Sequence, residues 1–282
     1  MSEQTDVKPV FGLADLQAAA PIFRRRWAIP IARRLMKWLA IDKVNAIHTR
    51  HCHLRGAAFT SAMLADPMMD VRYNIHHAER LDTLPTGAFI TVSNHPIGSL
   101  DGIILIDLFA SCRPDFRVMV NGVLERIWAM SDNFISVTPK TGNQTTAHHA
   151  NVGGVRLALE GLRNGHPIGF FPAGAMSFGN ARGEVLDRPW THSVIRLIRK
   201  AGVPVYPVYF DFRNSRFFYG LGWISWKIRT LRVAAEAFNK RGRTAEVYVG
   251  TPIDPDVIRS YTDDVALADF LYRRTYALPK ED

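Results

Sequence analysis

At 282 residues, with 47% hydrophobic and 22% charged residues, the chain has the composition of a folded protein with a full core, which excludes extended disorder. Two cysteines, Cys52 and Cys112, provide no disulfide framework and suit a reducing compartment. No cleavable signal peptide is expected, and no apolar run reaches the ~18 residues a membrane span needs. The net charge of +9, from 35 basic and 26 acidic residues, points to an anionic partner: nucleic acid, anionic lipid or an acidic carrier.

The chain begins with a loose polar stretch. A basic, aromatic segment follows, in which Arg24, Arg25, Arg26, Arg33, Arg34 and Lys37 interleave with Phe23, Trp27, Ile31, Leu35, Trp38 and Leu39. From Pro30 onward the apolar positions trace a helical face opposite the cations. That pattern suits a helix lying in a membrane interface, and equally a surface helix packed on its own domain. His48, His51, Cys52 and His53 form a cluster, but no second group at ligand spacing completes a metal site. No metal is expected.

The run Ala88–Val92 is short, aromatic and β-branched, and reads as a buried strand. After it come Ser93-Asn94-His95-Pro96-Ile97-Gly98-Ser99-Leu100-Asp101-Gly102. Pro96 and Gly98 turn the chain, and Leu100, Ile103, Ile104 and Leu108 continue at helical spacing with Ser99 as N-cap. His95 and Asp101 are six residues apart, a separation that does not share a helix face. They can meet only if the Pro-Ile-Gly turn folds His95 back over the helix start. Once paired, the carboxylate would take the Nδ1 proton and leave Nε2 as a base. The plainer alternative is an N-capped helix whose Asp101 complements the helix dipole, with an incidental histidine beside it.

Further strands are expected at 116–120, 134–137, 168–171, 203–210 and 245–249. Helices are expected around Leu124–Trp128, over Val155–Leu162, over Val194–Ile198 ending at Gly202, and from about Asp263. The alternation predicts an α/β fold: a mostly parallel central sheet flanked by helices, with an N-terminal amphipathic helical segment and functional residues at the carboxyl ends of strands. No linker divides the chain, so residues 1–45 form a membrane-associating segment and 46–282 one catalytic domain. Phe217, Phe218, Tyr219, Trp223 and Trp226, with Lys227, Arg229 and Arg232 behind them, form a second patch suited either to the core or to lipid.

Together these blocks resemble the glycerophospholipid (lysophosphatidic acid type) acyltransferase superfamily. Asn94–Gly102 is similar to its His-to-Asp motif, with the longer His-x5-Asp spacing of the hemolysin-like and ornithine-lipid branch. Phe171-Pro172-Ala173-Gly174 stands where that superfamily has Phe-Pro-Glu-Gly, and Val203–Val208 resembles its later strand block. Arg213-Asn214-Ser215 with Phe217-Phe218-Tyr219 resembles the branch's own signature. The resemblance implies acyl transfer from an acyl-carrier protein or CoA thioester, used as a substrate with no further cofactor, to a lyso-lipid at a membrane surface. It implies His95 as general base, Asp101 as its partner, and Asn94, Gly98, Phe171, Pro172 and Gly174 in substrate binding. Amides near Gly98 would serve the thioester oxyanion.

Two departures redirect the acceptor. Ala173 replaces the usual Glu, and Val137 stands where the family's phosphate-contacting Arg is expected. An amino-acid-derived lyso-lipid then fits better than a glycerol phosphate, with Lys140 or Arg182 meeting its acidic head. The expected setting is peripheral, on the cytoplasmic face of the inner membrane, with no nucleic-acid partner. The alternatives are a lysophosphatidic acid O-acyltransferase, an N-acyltransferase making the lyso-aminolipid, and a serine hydrolase using Ser177 in Ala175-Met176-Ser177-Phe178-Gly179. A non-enzymatic basic binder would leave the His95–Asp101 spacing without purpose.

Overall fold

A computed structural model describes residues 8–137, 144–180 and 183–280, the side chains of Val123 and of 144–152 excepted. Helices α1 (Leu13–Ala19), α2 (Ile29–Trp38), α3 (Ile41–His51) and α4 (Gly56–Ala65) precede β1 (Val71–His76). Next come β2 (Ile90–Ser93), α5 (Leu100–Cys112), β3 (Arg117–Asn121), β4 (Phe134–Val137), α6 (Gln144–Arg163) and β5 (Ile168–Phe170). A small hairpin of β6 (Phe178–Gly179) and β7 (Val185–Leu186) leads to α7 (His192–Ala201) and β8 (Val205–Asp211). The chain ends through α8 (Arg216–Ile224), α9 (Trp226–Leu231), α10 (Val233–Phe238), β9 (Arg243–Val249), α11 (Pro255–Ser260) and α12 (Asp264–Ala277).

Seven strands form one sheet in the order β1-β9-β8-β2-β5-β3-β4. Every pairing is parallel except β8 with β9, so β9 and β1 run against the other five. The mostly parallel α/β sheet read from the sequence is what forms. The short helix expected around Leu124–Trp128 is instead a pair of 3-10 turns, Gly122–Arg126 and Trp128–Asn133. Helix α7 does end at Gly202, which sits at φ 63°.

Side chains alternate across the sheet and build a core on each face. Ile90, Val92, Ile168 and Val205 pack with Ala158, Leu162, Ile195, Ile198 and Leu271 on one side. Phe89, Tyr206, Val208 and Phe210 pack with α3, α4 and α5 on the other. Helix α5 is apolar nearly all round, as a helix in the middle of a layer must be. Ile104, Leu105, Ile106 and Phe109 are fully buried, each contributing about 1.5–3 kcal/mol of burial free energy. Its first turn, which holds Asp101, is therefore a fixed platform.

At the N-terminus, Asn45 on α3 bonds both backbone groups of Phe11, accepting from N–H at 3.1 Å and donating to C=O at 2.7 Å. Helix α2 buries Ala32 against the protein but leaves Ile31 and Trp38, with Trp27 before it, exposed. Arg232 donates to the Trp38 carbonyl and lies 4.4 Å from the Trp38 ring and 5.8 Å from that of Phe217. The basic amphipathic segment and the later aromatic patch are thereby joined into one surface.

Candidate active site

Strands β8, β2 and β5 are neighbours and parallel, so their carboxyl ends open on the same edge of the sheet. There β2 delivers Asn94 and His95, β5 delivers Phe171–Gly174, and β8 leads to Asn214. Both ends of the Asn94 amide engage β8: Nδ2 donates to the Phe210 carbonyl at 3.0 Å and Oδ1 accepts from its N–H at 2.8 Å. Asn94, buried, therefore fastens the end of β2 and places His95.

From that anchor the turn folds back. His95 Nδ1 lies 2.9 Å from Asp101 Oδ2, which leaves Nε2 as the ring's remaining nitrogen. The imidazole is half-buried, stacked on Phe171 with centroids 4.2 Å apart. The buried Asp101 carboxylate also accepts from the Ile97 and Gly98 amides, each at 3.0 Å, and from Gly102 N–H at 3.0 Å. These amides, expected to serve an oxyanion, are thus committed to Asp101. Ser99 is the N-cap residue of α5, as expected, but its hydroxyl makes no capping bond.

Electrostatics follow from these contacts. Burial alone would raise the Asp101 carboxyl, but the His95 charge and the donated hydrogen bonds outweigh it and hold it below the usual carboxylate range. Burial likewise pulls the His95 imidazole down, while the charge of Asp101, its hydrogen bond and the charge of Asp187 prevail and set it above its ordinary value.

Asp187 is the member of the site that sequence reading missed. Residues 177 and 187 flank the β6–β7 hairpin, whose register pairs Phe178 with Leu186, so they stand opposite each other. The Ser177 hydroxyl donates to Asp187, the His95 backbone N–H donates to the same carboxylate at 3.2 Å, and Trp190 Nε1 donates at 3.2 Å. Burial keeps Asp187 above the usual range despite these donors. Ser177 N–H in turn donates to the His95 carbonyl at 2.8 Å. From the other side Asn214 Nδ2 donates to the Ile97 carbonyl at 3.0 Å and the Pro96 carbonyl at 3.3 Å. The corner that carries His95 is held by a hairpin and by the loop after β8.

Ser177 is buried with its hydroxyl on a carboxylate, and among the described residues no histidine contacts that hydroxyl, which argues against the serine-hydrolase reading. Replacing Ser177 by alanine is expected to cost about 1 kcal/mol of stability, read by denaturant unfolding, and to leave turnover within about tenfold of wild type. Phe171 reaches the dyad. The Pro172 carbonyl instead accepts from Thr191 N–H and Oγ1, and Gly174 closes the turn on the Phe171 carbonyl, so those two shape the loop. Lys140 and Arg182 lie outside the described residues. His48 is buried against Phe59 and Trp128 while His51 reaches Asp66 at 2.8 Å, so the early histidines do not converge. Among the described residues no group of three His, Cys, Asp or Glu side chains could hold a metal ion.

The chain belongs to the Acyltransferase family, whose match runs over residues 15–281. The resemblance first carried by a few motifs therefore extends along nearly all of it. It is 29% identical over 181 residues to a lyso-glycine lipid O-acyltransferase of Phocaeicola vulgatus, covering 61% of this chain and 62% of that protein. A lyso-glycine lipid O-acyltransferase of Bacteroides thetaiotaomicron is 27% identical over 226 residues, covering 78% and 79%. The chain thus spans less than two thirds of the length of the first relative. The crystal structure of the 1-acyl-sn-glycerophosphate (LPA) acyltransferase, PlsC, from Thermotoga maritima matches 88% of this chain and 94% of that one, with a TM-score of 0.48 and 17% identity.

Proposed function

We propose that the chain moves a fatty acyl group from a thioester, on acyl-carrier protein or CoA, to the hydroxyl of a single-chain lipid with an amino-acid head. The observation that carries this reading is the His95–Asp101 pair at the strand edge, with Nδ1 held by a fixed carboxylate. His95 Nε2 removes the proton from the acceptor hydroxyl as its oxygen attacks the thioester carbonyl. Asp101 stabilises the imidazolium that forms. Collapse of the tetrahedral adduct breaks the carbon–sulfur bond, and the proton passes from His95 to the departing thiolate, so that ester and free thiol are the products.

The acceptor reading is supported by the names of the two relatives and by Val137 and Ala173 at the family's phosphate-contact and Glu positions. Both names specify O-acylation, which favours the hydroxyl over an amine. Approach to the lipid is by peripheral docking. Among the described residues no helix is long and apolar enough to cross a membrane. Trp27, Ile31, Trp38, Phe217, Trp223 and Trp226 instead stand exposed on the surface joined by Arg232, as at an interfacial binding face. We place that face on the cytoplasmic side of the inner membrane, where the thioesters are made.

The test is direct. Purified protein given N-(3-hydroxyacyl)glycine and an acyl thioester is expected to release free thiol in step with an acylated lipid that mild alkali cleaves back, as it does an ester but not an amide. Release of free fatty acid without acylated lipid, or no thiol at all, would reject the reading.

A further inference from the structure

Next to the dyad's supports, α8, α9 and the β6–β7 hairpin surround a pocket of ≈ 380 Å³, with Arg188, Arg229, Phe178, Tyr219, Trp223 and Trp226 in its walls. Arg229 is only 7% exposed. Its side chain runs against Gly222, where an added Cβ would stand 3.0 Å from Arg229 Cδ. Nη1 donates to the Ser177 carbonyl at 3.4 Å, the guanidinium lies 5.9 Å from the Phe218 ring, and the buried Nε has no partner.

Among the described residues neither Arg188 nor Arg229 pairs with a carboxylate. Burial depresses the Arg229 pKa, the like charge of Arg188 adds to that, and Tyr219 offsets part of it. A buried guanidinium left without a counter-charge is costly, and two arginines facing one pocket are costlier still, unless an anion completes the set. The pocket's walls are tied by hydrogen bonds to the backbone that carries His95. Ser177 gives its carbonyl to Arg229 and its N–H to the His95 carbonyl, and the Tyr219 hydroxyl lies 3.5 Å from the carbonyl of Pro96, the residue after His95. Trp223 and Trp226 in its wall are 76% and 53% exposed and offer apolar surface to a lipid chain.

We infer that this pocket receives the carboxylate of the acceptor's amino-acid head, with Arg229 and Arg188 as its counter-charges. A planar carboxylate suits the guanidinium fork, and Arg229 has its Nε unfilled for it. Arg229 thus takes the part that sequence reading gave to Lys140 or Arg182. Naming the anion as the acceptor's rests on the acyl-transfer reading above; the need for an oxyanion does not. The acyl donor's phosphates are the other source of such an anion, and the experiment separates the two.

The test uses the full chain without donor and reads tryptophan fluorescence, since two tryptophans line the pocket. The probes are N-(3-hydroxyacyl)glycine and its methyl ester, which keeps the chain and loses the charge. The free acid is expected to bind about tenfold tighter than the ester, and Arg229→Gln or Arg188→Gln to remove most of that preference while ester binding stays within about twofold. In turnover, Arg229→Gln is expected to raise KM for the acid about tenfold with the donor's KM unchanged. Equal binding of acid and ester by the wild type would overturn the inference, as would a preference that survives both substitutions. So would a rise in the donor's KM alone, or displacement of the acid by CoA, either of which assigns the site to the donor. If Arg229→Gln fails to fold, the exposed Arg188→Gln and the wild-type comparison of acid with ester still decide. Binding is read without chemistry, so absence of acyl transfer and absence of carboxylate recognition are separate results.

Discussion

Replacing His95 with alanine is expected to lower acyl transfer by about 10²–10⁴-fold while the fold survives. Only one of the contacts to the Asp101 carboxylate is lost, because the amides of Ile97, Gly98 and Gly102 remain on it. The ring, 17% exposed, leaves a gap beside Phe171, and no side chain of either apolar core is removed. Thermal unfolding should therefore change little, and thiol release should fall almost to background. A variant that keeps most of its rate would show that some other group takes the proton.

Gly98→Ala is expected to damage both stability and rate. Gly98 sits at φ 92°, where an L side chain costs about 1–3 kcal/mol. A Cβ there would stand 2.1 Å from Met176 Sδ. The turn would have to move, and the amides of Ile97 and Gly98 would leave Asp101 with it. The carboxylate would then lose its hold on His95, and a displacement of about 1 Å in such a site costs about 10² in rate. Denaturant unfolding and thiol release measure the two effects separately. Adding Met176→Ala relieves the contact but not the backbone strain, so recovery should be partial. Full activity in Gly98→Ala would mean that the corner does not set the dyad.

How much of this was legible in the chain depends on how local each determinant is. The corner could be read because Pro96 and Gly98 specify a turn by themselves, and β2, β4, β5 and β8 because they are short apolar runs. Strand β1 escaped notice although Val71, Tyr73 and Ile75 alternate with polar residues; its partner β9 lies far along the chain, Val71 opposite Arg243. The antiparallel join of β8 and β9 is likewise a matter of topology, on which strand sequences are silent. Asp187 could not be recognised because its place depends on a hairpin of two two-residue strands. Arg229 looked like one basic residue among several, and its burial comes from how α8 and α9 pack. Ser99 takes the N-cap position its sequence suggests, but the Asp101 carboxylate holds the Gly102 amide that a capping hydroxyl would have accepted from.

The pH dependence of kcat/KM in the wild type and in Asp101→Asn tests the dyad most directly. A general base must be neutral, so rate is lost as pH falls through the His95 pKa. Asp101 raises that value, which puts the wild-type acid limb above the ordinary histidine value of about 6.5. With the charge removed, burial prevails, so the limb should move to lower pH while the plateau falls, on the order of 10⁴-fold where the tautomer is no longer held. Coincident profiles with equal plateaus would contradict the account, because His95 would then work without the carboxylate at its back.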